Sequence, residues 1–284
     1  MRILIFGGTG LLGADIAKTL KEGNDIISLG SSDVDITKLE SVIHSLNTHK
    51  PDVVINCAAI SDVDKCEENA ELAFRVNAIG PKNIAIACNH TKSRLIHIST
   101  DYVFNGEKKT PYTEFDLPGP VNIYGQSKLA GEEFIRTISS NFLIIRTAWL
   151  FGERRNQFVD YVIKSIYQGN EIIAVKDMTS SPTFSFDVAE MIKELIATNE
   201  VGLFHICNKG YCSRVELVEE IMNILKKHTN VTVVNQSNWK RPAKRPIFSA
   251  LRNYHLELIN KDNMPGWRDA LKRYVKYKYK HTQD

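Results

Sequence analysis

The chain has 284 residues, of which 43% are hydrophobic and 24% charged, as is typical of a globular protein and unlike a disordered or fibrous one. Its net charge of +3 is small, and the basic residues collect mostly after Lys226 and in the tail KRYVKYKYKHTQD, which we expect to be a solvated end. A nucleic-acid-binding protein would need a broader basic face, so no nucleic-acid partner is predicted.

The cysteines and the hydropathy indicate the compartment. The five cysteines form an odd set without a CxxC pair, so neither a zinc site nor a disulfide framework is predicted, and we expect no metal. No run of about 18 apolar residues is present to span a membrane. The N-terminus MRILIFGGTG enters an apolar strand at once and lacks the length of a cleavable signal. We therefore expect a soluble cytoplasmic protein with reduced thiols.

Short β-branched runs alternate with helical segments through the first half of the chain. In the second predicted helix, Leu39, Val42, Ile43 and Leu46 form one apolar stripe, as a helix packed on a sheet requires. The predicted strands are RILIF, DIISL, DVVIN, RLIHI and FLIIR. Alternating βα units predict an α/β fold of the Rossmann type, with helices on both faces of a doubly wound parallel sheet.

This regularity fades near Phe151. Helices are still predicted at QFVDYVIKSIYQ, FDVAEMIKELIA and SRVELVEEIMNILKK, and a strand at GLFHI. We expect an NAD(P)-binding domain over residues 1–150, to which residues 184–206 return. Residues 151–183 and 207–284 would form a smaller C-terminal substrate-binding lobe.

A glycine-rich loop, GGTGLLG, follows the first strand and opens the first helix. It places Gly7, Gly10 and Gly13 in the pattern GxxGxxG, which allows a sharp turn and close approach of a pyrophosphate to the helix N-terminus. A tight strand-to-helix turn is the alternative, but the position within the first βαβ unit favours a dinucleotide. A Walker loop would need lysine where Ala14 stands, which disfavours ATP hydrolysis.

Small and polar residues follow the next strands. Ala58 and Ala59, after the third strand, would let a cofactor lie against the backbone, and Thr100 ends the fourth strand. Tyr124 and Lys128 stand four residues apart in NIYGQSKLAGEE, so on a helix they share one face. Such a pair can move a proton, although YxxxK also occurs by chance.

Together these features resemble the extended short-chain dehydrogenase/reductase family, and more closely its bacterial dTDP-4-dehydrorhamnose reductases. The resemblance extends in order over nearly the whole chain. Its segments are DVVINCAAISDVDKCEENAELAFRVNAIGPKNIA, HISTDYVFNGEKKTPYTEFDLPGPVNIYGQSKLAGEE, RTAWLFG, SSPT and RPAKRPIFSAL.

The resemblance implies reduction of a nucleotide-linked 4-keto-6-deoxy sugar, dTDP-4-dehydro-L-rhamnose, to dTDP-L-rhamnose with NAD(P)H. Tyr124 would donate the proton, Lys128 would lower the pKa of Tyr124 and hold the nicotinamide ribose, and Thr100 would orient the carbonyl oxygen. A nucleotide-sugar partner and a homodimer are expected.

The resemblance also implies two sets of binding residues. The substrate would meet Thr100, Trp149, Ser181, Pro182, Thr183, Arg241 and Arg245. The cofactor would meet Gly7, Gly10, Leu11, Leu12, Gly13, Ser31, Asp35, Ile36, Ala58, Ala59, Ile60, Asn77, Tyr124 and Lys128. Ser180 and Ala148 depart from the family, which often has Gly and Ser there, so the sugar is less certain than the reaction.

The end of the second strand predicts the cofactor. NAD specificity commonly rests on an acidic residue there, yet this chain has Gly30, Ser31 and Ser32 before Asp33. By resemblance, Asp35 and Ile36 flank the adenine. No arginine stands in this stretch, so we expect NADPH to be preferred by a modest factor and NADH to be accepted.

Three other functions are compatible with parts of this sequence pattern. A 4,6-dehydratase resembling this chain would have an Asp-Glu pair after the catalytic threonine, where Asp101 and Tyr102 stand. A sugar-nucleotide epimerase remains open, and would consume no cofactor. A non-catalytic subunit resembling the methionine adenosyltransferase β subunit also remains open, although Thr100, Tyr124 and Lys128 favour an enzyme.

Overall fold

A computed structural model describes residues 1–154 and 158–279 of the chain. Its central sheet has six parallel strands in the order β2-β1-β3-β4-β5-β10. The strands are β1 Arg2–Phe6, β2 Asp25–Leu29, β3 Val53–Asn56, β4 Arg94–Thr100, β5 Phe142–Thr147 and β10 Gly202–His205. Because the chain moves from β1 to β2 and then crosses to β3, a crevice opens at the carboxyl ends of β1 and β3.

Helices cover both faces of this sheet. Ile3 and Ile5 of β1 face one core with α1 and α8, whereas Leu4 and Phe6 face the other core with α2, α5 and α6. The bounds are α1 Leu11–Thr19, α2 Leu39–His49, α3 Val63–Glu68, α4 Ala70–Phe74, α5 Gly80–Thr91, α6 Ile123–Ile138 and α8 Ser185–Ile196. The predicted α/β, doubly wound parallel fold is confirmed.

A third hydrophobic core lies in the C-terminal half, around Phe151, Ile163, Leu217 and Tyr274. The remaining strands and α-helices are β6 Leu150–Phe151, α7 Phe158–Gln168, β7 Ile172–Val175, β8 Thr179–Ser180, β9 Thr183–Phe184, β11 Cys212–Ser213, α9 Arg214–Leu225, β12 Val231–Val234, α10 Tyr254–Leu258 and α11 Trp267–Tyr279. Of these, α10 packs instead on the sheet core that contains Ile3 and Ile5, through Leu256. Gln157 and the tail residues 280–284 lie outside the described residues. The division into domains near residue 150 stays a prediction.

The helical segment over residues 70–91, between β3 and β4, is not one continuous α-helix. After α4 it passes through a π-helical turn, Arg75–Ile79, before α5 begins. Pro81 lies in the first turn of α5, where its missing N–H is tolerated. The turn carries the fully buried Asn77, whose side chain donates to and accepts from the backbone of Ile60.

Within the described ranges, no helix combines the length and apolar character that crossing a bilayer requires.

Candidate active site

The glycine loop after β1 is built for close backbone approach. Gly7 has φ of +73°, and a Cβ there would lie 2.6 Å from the backbone nitrogen of Ala58. A Cβ on Gly13 would lie 2.4 Å from the carbonyl oxygen of Gly7. Both glycines are therefore required by the packing of β1, β3 and α1, and not only by a turn.

The N-terminus of α1 is open to a ligand. Its N-cap is Gly10, no side chain caps it, and its first turn contains no acidic residue. The first N–H groups of a helix lack internal partners and favour an anion. An open helix N-terminus beside a glycine cradle fits the pyrophosphate of a dinucleotide.

Polar side chains at the end of β2 are already engaged. Asp33 accepts a 2.7 Å hydrogen bond from the backbone N–H of Gly30, and Asp35 accepts from the N–H and hydroxyl of Thr37. The hydrogen bonds from Thr37 lower the pKa of Asp35. Ser31 makes no such bond within the described residues and lines the cleft, which leaves its hydroxyl available to a ribose substituent.

The segment after β3 is held by two buried asparagines. Asn56 accepts from the N–H of Ala58 at 3.1 Å, and Asn77 accepts from the N–H of Ile60 at 2.9 Å. Asn77 also donates to the Ser127 hydroxyl on α6 at 3.1 Å. These bonds position the cofactor-facing backbone against the helix that carries Tyr124 and Lys128.

Thr100 and the buried Asp101 join the two halves of the molecule. Thr100 donates to Asp101 at 3.1 Å, and Asp101 also accepts from Ser180 at 3.0 Å and Ser249 at 2.5 Å. Burial raises the pKa of Asp101 to about 6, although the three hydroxyls act in the opposite direction. The carboxylate thus connects β4 to the C-terminal lobe directly beside Thr100.

Tyr124 lies in the first turn of α6, which Asn122 caps by accepting from the N–H of Gly125 at 2.8 Å. A Cβ on Gly125 would lie 2.1 Å from the carbonyl oxygen of Tyr102, so only glycine lets α6 approach this closely. Burial raises the pKa of Tyr124 above its ordinary value, and the Thr100 hydroxyl lowers it.

Lys128 lies one turn further along α6 and is 2% exposed. Its ammonium donates to the carbonyl oxygen of Ile98 at 2.6 Å. Burial lowers the pKa of Lys128 to about 8, while the Glu132 carboxylate raises it. Within the described residues, no hydrogen bond joins Lys128 to the Tyr124 hydroxyl, so its effect on Tyr124 would be electrostatic.

A buried ion pair anchors the same helix to the sheet. Glu132 accepts from Arg146 of β5 through both carboxylate oxygens, at 2.9 and 2.6 Å, and from Ser99 of β4 at 2.5 Å. Tyr124, Lys128 and Glu132 follow each other at intervals of four residues, so they share one face of α6. The pair thereby fixes the rotation of the helix relative to the strand ends.

These strand ends and helices enclose a cleft of roughly 690 Å³. It contains the glycine loop, Thr100, Tyr124 and Lys128. Every residue predicted to contact the cofactor lines it except Asn77, which supports the loop from behind.

A family model for the RmlD substrate binding domain matches residues 1–280. The chain belongs to the RmlD family. A dTDP-4-dehydrorhamnose reductase of Mycolicibacterium smegmatis is 35% identical over 275 residues, covering 95% of this chain and 84% of that protein. The resemblance stated from the sequence is confirmed.

Solved structures of relatives agree with this assignment. A Clostridium acetobutylicum dTDP-4-dehydrorhamnose reductase is 42% identical with a TM-score of 0.94, covering 98% of this chain and 99% of that one. A Bacillus anthracis dTDP-4-dehydrorhamnose reductase in complex with NADP is 36% identical with a TM-score of 0.95, at 98% and 99% coverage.

The predicted substrate residues of this RmlD-family chain are less uniformly placed. Trp149 lines the cleft with a positive φ of 36°. Ser181 and Thr183 are fully buried and bonded to the backbone of Leu251 and Ser181, respectively. Neither lines the cleft, and Pro182 does not line it either. Their role as substrate contacts stays a prediction.

Arg241 and Arg245 lie outside the cleft lining and share one carboxylate. Arg245 contacts both oxygens of Asp64 at 2.7 Å, and Arg241 contacts one at 3.1 Å. The hydrogen bonds from Arg245 are the main reason that the pKa of Asp64 lies far below its usual range. The pairing fixes the RPAKRP loop over the N-terminal turn of α3, and phosphate binding by these arginines stays a prediction.

Sequence reasoning missed two charged residues that line the cleft. Asp101 was seen only as a departure from the dehydratase pattern, although its burial beside Thr100 gives it a structural role. Arg214 is the first residue of α9 and reaches the cleft from the C-terminal lobe. Its only sequence signal was the capping box Ser213–Glu216, which marks a helix and carries no information about the cleft.

Proposed function

We propose that this protein reduces a dTDP-linked 4-keto-6-deoxy sugar with NADPH, and that the sugar is dTDP-4-dehydro-L-rhamnose. The observation that carries the proposal is that Thr100, Tyr124 and Lys128 line the same cleft as the glycine loop. It is supported by RmlD-family relatives that are dTDP-4-dehydrorhamnose reductases, one of them in complex with NADP.

The cofactor supplies the hydride that reduces the carbonyl carbon. Tyr124 is assigned the proton that the carbonyl oxygen then requires, because it is the phenol at the end of the cleft where Thr100 lies. Thr100 donates its hydroxyl proton to Asp101 at 3.1 Å in this structure, and on substrate binding it would turn from Asp101 to donate to the same carbonyl oxygen.

Lys128 has two tasks in this proposal. Its positive charge favours loss of the proton from Tyr124, which burial otherwise opposes. The same ammonium is available to the ribose of the cofactor once it leaves the carbonyl oxygen of Ile98. Both tasks require the protonated form, which predominates at neutral pH because the pKa of Lys128 is lowered only to about 8.

The alternative functions are less favoured by the site. A non-catalytic subunit would have no need of the arrangement of Thr100, Tyr124 and Lys128 that lines this cleft. A dehydratase would need a second carboxylate after Thr100, and Tyr102 stands where it would be.

The test is a direct assay. Purified protein is mixed with NADPH and dTDP-4-dehydro-L-rhamnose, and the loss of NADPH absorbance is followed together with the appearance of dTDP-L-rhamnose. Stoichiometric oxidation is the expected result. Interconversion of sugars without consumption of NADPH would identify an epimerase, and no turnover of a protein that binds NADPH would favour the non-catalytic subunit.

We also propose a homodimer and a cytoplasmic location. Size-exclusion chromatography with light scattering tests the first, and fractionation of the source cells tests the second. A monomeric mass or recovery in the membrane fraction would contradict them.

A further inference from the structure

Arg214 is a cation of the cleft that forms no ion pair with any residue the structure describes. Its guanidinium carbon lies 3.6 Å from the ring centroid of Trp149 and 4.4 Å from that of Phe158. Both distances place a ring face against the guanidinium plane. Within the described residues, its N–H groups make no hydrogen bond or ion pair, although a guanidinium offers five donors.

The carboxylates around Arg214 are used by other groups. The charge of Asp101 acts to raise the pKa of Arg214, but the Asp101 carboxylate already accepts from the hydroxyls of Thr100, Ser180 and Ser249. Glu216, on the same helix, accepts from the N–H of Ser213 at 2.7 Å as part of the capping box. The Ser213 and Glu216 side chains are therefore engaged in capping the helix, and the Arg214 guanidinium is the group at this helix end that is free to bind a ligand.

Arg214 is partly exposed in the cleft, so its N–H groups are open to a ligand that enters it. Burial lowers the pKa of Arg214 to about 10, so it stays charged at neutral pH. The stacked rings occupy its faces and leave its in-plane donors for an acceptor in the cleft. A diphosphate matches a planar guanidinium through two parallel hydrogen bonds and neutralises its charge.

We propose that Arg214 binds the diphosphate of the nucleotide-sugar substrate. This inference rests on the proposed function, which supplies a substrate whose only anionic group is that diphosphate. The cofactor's own pyrophosphate is accounted for by Gly7, Gly10 and Gly13 at the N-terminus of α1. Arg214 comes instead from the C-terminal lobe and stacks on Trp149, the predicted substrate residue.

The experiment measures the Kd of dTDP, dTDP-L-rhamnose and NADPH by isothermal titration calorimetry on wild type, Arg214→Gln and Arg214→Lys. For Arg214→Gln we expect the Kd of dTDP to rise about tenfold or more, because a charge-assisted bidentate contact is lost. Arg214→Lys keeps the positive charge but loses the two parallel N–H donors, so its Kd for dTDP should lie between those of the wild type and Arg214→Gln. The Kd of NADPH should change by less than about twofold.

Arg268→Gln is the matched control. Arg268 also stacks on a tryptophan, Trp267, at 4.4 Å, but its side chain is 63% exposed and it does not line the cleft. This variant should leave all three affinities unchanged. Arg214→Gln loses the two ring contacts but no hydrogen bond or ion pair of the described residues, so its melting temperature should fall by no more than a few degrees.

An unchanged Kd of dTDP in Arg214→Gln would overturn the inference. A loss of affinity confined to dTDP-L-rhamnose would overturn it by assigning Arg214 to the sugar. An equal loss of NADPH affinity would overturn it by assigning Arg214 to the cofactor. The proposed function fails separately. A wild-type protein that binds dTDP through Arg214 but does not oxidise NADPH with the 4-keto sugar would refute the reaction and keep the binding role.

Discussion

The ammonium nitrogen of Lys128 lies 3.4 Å from Nε2 of His97, a fully buried histidine on the neighbouring strand β4. Asn56 uses its carbonyl oxygen for the N–H of Ala58, so its amide donates to Nδ1 of His97 at 3.1 Å. Burial and the charge of Lys128 lower the pKa of His97, which therefore is neutral with its proton on Nε2. An imidazole N–H thus faces the ammonium and cannot accept from it.

This environment predicts a pH limit on catalysis. The neutral form of Lys128 is favoured by burial, so its pKa is lowered to about 8 and the protonated form is lost as pH rises through that value. We expect kcat/KM to be level below about pH 8 and to fall above it, because the charge that holds the ribose and acts on Tyr124 disappears. The measurement is kcat/KM from about pH 6 to about pH 10, a range that spans the lowered pKa of Lys128 and ends just below the ordinary pKa of lysine.

The Lys128→Arg variant provides the control for this profile, because guanidinium stays charged throughout that range. If it retains activity, its profile should show no decline above about pH 8. A wild-type profile that stays level to about pH 10 would contradict the lowered pKa.

Removing the phenol should separate chemistry from binding. We expect Tyr124→Phe to reduce kcat by about 10² or more, because it removes the proton donor and keeps the ring. NADPH affinity and melting temperature should remain close to those of the wild type. Lys128→Met, in contrast, should reduce both kcat and the affinity for NADPH.

The control for Tyr124→Phe is Tyr161→Phe, which removes a hydroxyl from an exposed tyrosine of α7. It should be indistinguishable from the wild type in stopped-flow and steady-state assays. Near-native turnover by Tyr124→Phe would assign the proton to another group.

The cofactor preference follows from the end of β2. Asp33 is held by the N–H of Gly30 at 2.7 Å, so it is engaged in the turn and not available to repel a 2′-phosphate. We expect kcat/KM to be higher for NADPH than for NADH by a modest factor, with both accepted. Ser31→Asp should reverse this order by at least about tenfold, because a carboxylate there repels the phosphate and accepts from a ribose hydroxyl.

Ser32→Asp is the neighbouring control for the cofactor measurement. Ser32 does not line the cleft, so a carboxylate at that position should alter the ratio much less than one at Ser31. A clear preference of the wild type for NADH would mean that Asp33 leaves Gly30 to reach the ribose.

The ion pair between Glu132 and Arg146 should contribute strongly to stability. Both side chains are almost completely buried, at 0% and 1% exposure, so Glu132→Gln leaves a guanidinium without its counter-charge. We expect the free energy of unfolding to fall by about 3 kcal/mol or more. The exposed pair Arg252–Glu257 is the control, and Glu257→Gln should cost about 1 kcal/mol or less. Urea denaturation of the two variants measures the difference, and equal losses would refute the importance of burial.

The features of this protein that depend on local pattern could be predicted from the sequence. β-branched runs such as RILIF and DIISL coincide with β1 and β2, because alternation and propensity act over a few residues. The role of Gly7 and Gly13 in a tight loop could also be predicted from their spacing. In the structure, a positive φ at Gly7 and close contacts at both positions exclude any side chain there. That Tyr124 and Lys128 share one face of α6 follows from the helical period alone, because they are four residues apart.

Which distant side chains meet in the cleft depends instead on tertiary packing. Arg214 reaches it because α9 packs against α7 and places the guanidinium on Trp149, a contact that no local pattern encodes. Ser181 and Thr183, in contrast, are turned into the interior by the hydrogen bonds of their own loop. The lowered pKa of Lys128 could likewise not be predicted from the sequence. Burial is its main cause, and the packing of β3, β4 and α6 sets that burial.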